Sequence, residues 1–125
     1  MRIFGCFEVT IGWYGRERVD YLTLDYKNIW RCYEIKVSKS DFYSKAKKTF
    51  VGHLNYFVMP QELYNQVSQD IPEHIGVKTI GEYGDIQCIK RAKKQKLAVK
   101  ESVLSGSMIR SLSRDVDKLK IKLKS

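Results

Sequence analysis

Residues 3–13 (IFGCFEVTIGW) alternate apolar and polar positions and are rich in β-formers, which predicts a first strand, with Gly12 and Gly15 marking its end. A second strand is predicted over 18–24 and a third over 29–37. Asp25-Tyr26-Lys27-Asn28 between them reads as a turn, because Asp and Asn can hydrogen-bond their own backbone. Together these predict an antiparallel meander. The period then changes. Ser38-Lys39-Ser40-Asp41 has the form of a capping box, with Ser38 as the cap of a helix that turns Phe42, Ala46 and Tyr43 inward. Residues 54–59 (LNYFVM) form a buried-strand pattern. Pro60 opens a short helix carrying Leu63, Tyr64 and Val67 at helical spacing, and Pro72 closes it. Two more strands, 75–80 and 86–90, flank a turn at 82–85, and a final helix runs from about residue 100. The order β-β-β-α-β-α-β-β-α predicts an α/β (α+β) chain: a mixed central sheet with an N-terminal meander, a helix on each face and a long basic C-terminal helix. One domain is expected over 1–125, with its core at 3–90 and a basic linker and helix at 91–125.

Charge changes the picture at one end only. The net charge is +9, and residues up to Ile89 hold eleven basic and eleven acidic side chains. The other twelve basic and three acidic residues lie from Lys90 onward, so the whole surplus sits there. A neutral body with a basic end predicts a polyanionic partner, and a solvated helix that aids solubility is the plain alternative. Lys90, Arg91, Lys93, Lys94 and Lys96, with Lys45, Lys47, Lys48 and His53, are the candidate nucleic-acid contacts, grips on phosphate rather than readers of sequence. Cys6, Cys32 and Cys88 form no CxxC pair, which argues against a zinc knuckle; buried free thiols are expected. With no signal-peptide pattern and no apolar run approaching a membrane span, a cytoplasmic protein of a bacterium or phage-infected host is expected, with no membrane partner.

The segment richest in chemistry is Val19-Asp20 followed by Tyr33-Glu34-Ile35-Lys36. Strand alternation puts Glu34 and Lys36 on one face and Tyr33, Ile35 and Val37 on the other, and the apolar three are expected to enter the core. Pairing through the turn brings in Asp20 from the neighbouring strand. Two convergent carboxylates suit a hard cation such as Mg2+ or Mn2+, and a lysine beside them can stabilise a developing phosphate charge. An exposed edge pair and an aspartate in a turn are the plain alternatives.

Asp20, then Glu34-Ile35-Lys36 across a hairpin, resembles the PD-(D/E)xK, or restriction-endonuclease-like, nuclease superfamily. The run Glu34-Ile35-Lys36-Val37-Ser38-Lys39-Ser40-Asp41-Phe42 and the later Leu54-Asn55-Tyr56-Phe57-Val58-Met59-Pro60 are similar to the MmcB-like DNA-repair group and small phage-borne proteins, over roughly residues 7–80. The resemblance implies a restriction-endonuclease-like fold and a Mg2+- or Mn2+-dependent deoxyribonuclease serving phage or bacterial DNA processing or repair, with DNA favoured over RNA. It implies Asp20 and Glu34 as metal ligands, the Ile35 carbonyl as a third, and Lys36 as the catalytic lysine. Val19 replaces the usual proline. The glutamate that many members carry on an N-terminal helix has no counterpart, and Glu8 is expected to reach the site in its place. The rival expectation is a catalytically silent nucleic-acid-binding, inhibitory or adaptor protein on the same fold. The C-terminal stripe Ile109, Leu112, Val116, Leu119 and Leu123 has heptad spacing; packing on the chain's own sheet and a homodimer seam are its two readings.

Overall fold

The computed structural model describes residues 3–12, 17–44 and 49–124. Six strands form one mixed sheet in sequence order: β1 (Ile3–Thr10), β2 (Arg18–Asp25), β3 (Trp30–Ile35), β4 (Leu54–Pro60), β5 (Gly76–Ile80) and β6 (Ile86–Lys90). The first three are an antiparallel meander, β4 and β5 continue parallel to β3, and β6 closes antiparallel. The helices are α1 (Lys39–Phe42), α2 (Gln61–Val67), which runs on into a 3-10 turn at Ser68–Asp70, and α3 (Glu101–Lys124). Predicted and observed elements therefore agree in kind and order, with β3 ending two residues short of the expected 37. The expected contribution of Ala46 to the first helix lies outside the described residues.

The β2–β3 turn forms as its sequence dictates. Asp25 Oδ1 accepts the N–H groups of Lys27 and Ile29 at 2.9 and 3.1 Å, and Asn28 takes the left-handed conformation with φ 63°. The Asp25 carboxylate also pairs with Arg31 at 2.6 Å, which holds its pKa below the ordinary value. Ser38 caps α1 by accepting the Asp41 N–H at 3.1 Å, and Asp41 Oδ2 reaches back to the Val37 N–H at 3.1 Å.

The layering departs from expectation. Two apolar clusters fill the interior. One holds Cys6, Val9, Val19, Leu22, Trp30 and Cys32 beneath Leu104 and Met108 of α3. The other holds Phe57, Met59 and Val77 with Phe42 of α1 and Leu63 and Val67 of α2. Phe50 packs against both. The register places Glu34 beside Phe57 and Cys32 beside Asn55, so both clusters lie on the same sheet face. The reason is chiral. The connections β3-α1-β4 and β4-α2-β5 both step the same way across the sheet, and right-handed crossovers then put both helices on one side. The opposite face stays open. It carries a row of rings, Phe7, Tyr21, Tyr33 and Tyr56, with centroids 4.4, 5.8 and 5.4 Å apart, and Lys78 Nζ lies 5.2 and 4.9 Å above Tyr33 and Tyr56.

This reverses the predicted faces of β3. Ile35 and Val37 are exposed and Tyr33 is half-buried on the open side, whereas Glu34 and Lys36 are buried at 4% and 5% exposure. The apolar residues of that strand follow the alternation, but the helices cover the other set.

Candidate active site

The acidic pair stands at the end of the β2–β3 hairpin away from its turn. The last paired residues are Tyr21 and Tyr33, and beyond them Asp20 Oδ2 accepts the Ile35 N–H at 2.8 Å. That bond replaces a strand-to-strand hydrogen bond with a side chain and fixes Asp20 next to Glu34. The Asp20 charge acts on the neighbouring Glu34 carboxyl and favours its protonated form. Glu34 has its pKa pushed up to about 7, first by burial and then by the Asp20 charge; the Thr49 N–H and Lys36 oppose the shift. The Thr49 N–H lies 3.4 Å from Glu34 Oε1. Lys36, on the same face, has Nζ 3.7 Å from Asp41 Oδ1, and its backbone N–H donates to the Val58 carbonyl at 3.0 Å. The side chains of Glu34 and Lys36 are thus desolvated together at the seam between the two apolar clusters, each with an opposite charge or a donor near it.

A divalent cation suits this donor set. A buried carboxyl and the half-buried carboxylate beside it, which repel each other when both are ionised, gain when a cation enters between them. Thr49, whose N–H approaches Glu34, also has a buried Oγ1 without a hydrogen-bond partner among the described residues. The Ile35 peptide, whose N–H holds Asp20, lies between Glu34 and Lys36, so the predicted carbonyl ligand is close to the pair in the chain path.

Other predicted site residues are placed elsewhere. Glu8 is exposed, takes a left-handed backbone with φ 54°, and lines a cleft of about 280 Å³ with Arg18, Arg114, Asp115 and Lys118. Among the described residues no group of three or more His, Cys, Asp or Glu side chains converges, so Glu8 does not complete the Asp20–Glu34 pair. The physical cause is a change of face. Cys6 and Val9, three residues apart, share one cluster, as do Val19 and Leu22, so both strands are irregular between those positions and Glu8 turns outward.

His53 is built into the scaffold. Its Nδ1 accepts the Trp30 N–H at 3.0 Å, and burial lowers its pKa, which favours the neutral acceptor form. Gly52 permits this approach, since a Cβ there would meet the Trp30 carbonyl at 2.8 Å. The basic linker is pinned alongside: Lys93 N–H to the His74 carbonyl at 3.1 Å, Gln95 N–H to the His53 carbonyl at 2.7 Å, and Ala98 N–H to the Val51 carbonyl at 3.1 Å. These contacts lie at the start of β3, β4 and β5, while the acidic pair lies at the end of β3. Four residues of strand separate Trp30 from Glu34, about 13 Å. The linker therefore does not join the acidic pair. At the end of β6 Lys90 Nζ donates to the Pro72 carbonyl at 2.8 Å, and in the linker the exposed Lys93 pairs with Glu73, whereas Arg91, Lys94 and Lys96 are exposed charges. Lys45, Lys47 and Lys48 lie outside the described residues. Sequence reasoning missed Thr49 and Asp41; an S-x-x-D cap immediately after a Glu-x-Lys strand was the available signal for Asp41. Of the cysteines, Cys6 and Cys32 are buried as expected, but Cys88 is exposed, because it sits on the open face of the edge strand β6.

Fold and site together define an α+β chain with a six-stranded mixed sheet, helices on one face and an acidic pair, buried Glu34 beside half-buried Asp20, at the end of its central hairpin. A solved structure of a Silicibacter pomeroyi protein of unknown function is similar over 94% of this chain and 80% of that one, with a TM-score of 0.75 at 21% identity. At that identity the likeness carries the fold alone. No protein-family pattern and no curated protein sequence matches the chain. Among the described residues no helix is long and apolar enough to cross a membrane.

Proposed function

We propose that this protein is a divalent-metal-dependent phosphodiesterase acting on DNA, with Asp20, Glu34 and Lys36 as its centre and a fold of the restriction-endonuclease-like kind. The observation that supports this most is the burial of the Glu34 carboxyl and the Lys36 amine on one sheet face, with the half-buried Asp20 held beside Glu34 and away from the open aromatic side. Asp20 and Glu34 would hold Mg2+ or Mn2+, with the Ile35 carbonyl beside them. When bound, the ion supplies Lewis-acid activation of the phosphate and of the attacking water. Asp20 is oriented by the Ile35 N–H, so its position is set before any ligand arrives. Glu34, poised near neutrality, gives up its proton readily when positive charge enters. Lys36, desolvated and held towards Asp41, offers a fixed positive charge to the anion that develops at phosphorus.

The test is cleavage of single-stranded, duplex and branched DNA, and of RNA, with Mg2+ or Mn2+ and with chelator, alongside calorimetric titration of Mn2+. Metal-dependent cleavage lost in Asp20→Asn supports the reading; no cleavage of any substrate and no Mn2+ binding overturns it. A second reading, a nucleic-acid-binding or adaptor protein without cleavage, is favoured by one observation: the exposed charges Arg91, Lys94 and Lys96 lie at the other end of β3 from the acidic pair. Salt-dependent DNA binding without turnover would establish it.

A further inference from the structure

The C-terminal helix has two different faces in succession. Its first half is anchored: Leu104 and Met108 enter the apolar cluster, Ser107 Oγ accepts the Gly12 N–H at 2.9 Å, and Ser107 and Ser111 are buried. Beyond Ser111 every residue to Lys124 is exposed. The stripe Ile109, Leu112, Val116, Leu119 and Leu123 is 44 to 77% exposed and is rotated away from the anchoring face. The helix continues from Leu112 to Lys124, about 20 Å of its length. Packing of this stripe on the chain's own sheet, one of the two sequence readings, does not occur.

We propose that this stripe is the seam of a parallel two-stranded coiled coil with a second copy of the same chain. Heptad spacing puts Ile109, Val116 and Leu123 at a and Leu112 and Leu119 at d. Two of the three a residues are β-branched and both d residues are leucine, the combination that favours parallel dimers. Charge selects the same arrangement. In a parallel pair the g residue of one helix faces the following e residue of the other, and here these are Asp115 and Lys120, opposite in sign and repeated by symmetry. Both are exposed. The seam is short, but the helix is already held at Leu104, Ser107 and Met108, so less ordering entropy opposes association than for a free peptide. Ile121 falls at f and takes no part. The inference stands whether or not the acidic pair cleaves DNA.

The experiment is sedimentation equilibrium of the full chain over a concentration series, for the wild type and a set of variants. The wild type is expected to be a dimer and Leu119→Glu a monomer of unchanged circular dichroism, since Leu119 is exposed and lies beyond the anchored half of the helix. Asp115→Lys and Lys120→Asp should each weaken association by roughly tenfold, through two like-charged pairs per dimer, and the double exchange should restore it. Val116→Cys, made with Cys88→Ser, should form an intermolecular disulfide on oxidation, because a positions adjoin in a parallel register. A monomeric wild type at its highest soluble concentration, or a dimer that survives Leu119→Glu, overturns the proposal. A dimeric Val116→Cys variant that fails to cross-link, or a double exchange that fails to recover association, overturns the parallel register.

Discussion

Asp20 accepts the backbone N–H of Ile35 at 2.8 Å, and so one residue of β2 is held against the strand that carries both Glu34 and Lys36. The contact has a direct consequence for protonation. It keeps a negative charge next to a buried carboxyl group that already lacks water.

Stability in the absence of divalent ions should therefore fall as pH rises. Glu34 is raised from 4.5 to about 7 in the fold. A group raised on folding contributes its full stability below its unfolded pKa and loses it as pH climbs towards the folded value. The window is pH 4.5 to about 7, and the loss is about 3 kcal/mol at 1.36 kcal/mol per pH unit. Denaturant unfolding in chelator across that range should show the slope, and Glu34→Gln should remove it. An unchanged slope in the Gln variant would place the titrating group elsewhere.

Asp20→Asn keeps an acceptor for the Ile35 N–H and removes only charge. It should fold normally, lower the Glu34 pKa in part, since burial is the larger cause, and abolish metal-dependent cleavage. Mn2+ should raise the melting temperature of the wild type at pH 8 and leave that of Asp20→Asn unmoved. Lys36→Ala should retain Mn2+ binding by calorimetry and lose cleavage by roughly 100-fold or more, the scale of one preorganised charge. Near-wild-type turnover in Lys36→Ala would remove Lys36 from the chemistry.

His53→Ala leaves the N–H of fully buried Trp30 without its acceptor, a cost of about 1–3 kcal/mol. The His53 pKa is lowered from 6.5, so the neutral ring contributes stability above that value and loses it as pH falls. Unfolding at pH 8 should show the deficit in full, and the variant should lack the acid-side loss. DNA affinity should be unaffected, which a titration by fluorescence anisotropy would check.

Arg91, Lys94 and Lys96 replaced together by Gln should flatten the dependence of log DNA affinity on log salt by about 3 units if all three meet phosphate. Lys90→Gln and Lys93→Gln should add less, because Lys90 is bonded to the Pro72 carbonyl and Lys93 to Glu73. Single-turnover cleavage at saturating DNA should be unchanged, given the distance of these side chains from the acidic pair. A wild-type salt slope in the triple variant would assign the grip to another surface.

Much of the architecture is legible locally. The strand over 3–10, the Asp25 turn, the Ser38 cap and the proline brackets of the α2 segment each depend on neighbours within a few residues, and each forms as read, although the alternation within that first strand breaks at Glu8. The nearness of Asp20 to Glu34 is also local, since a tight hairpin leaves few registers.

What the amino-acid order determined alone was the kind and sequence of elements and the alternation that puts Glu34 and Lys36 on one face. Which face is covered was a tertiary decision. Tyr33, Ile35 and Val37 look like core residues, yet the right-handed crossovers through α1 and α2 bury the Glu34 side instead. The same holds for charge. Lys90 to Lys96 are basic in any conformation, but only the backbone bonds to His53, His74 and Val51 set them at the start of β3, away from the acidic pair. Periodicity encodes which residues share a side; the long-range hydrogen bonds and the handedness of chain crossings choose what that side meets.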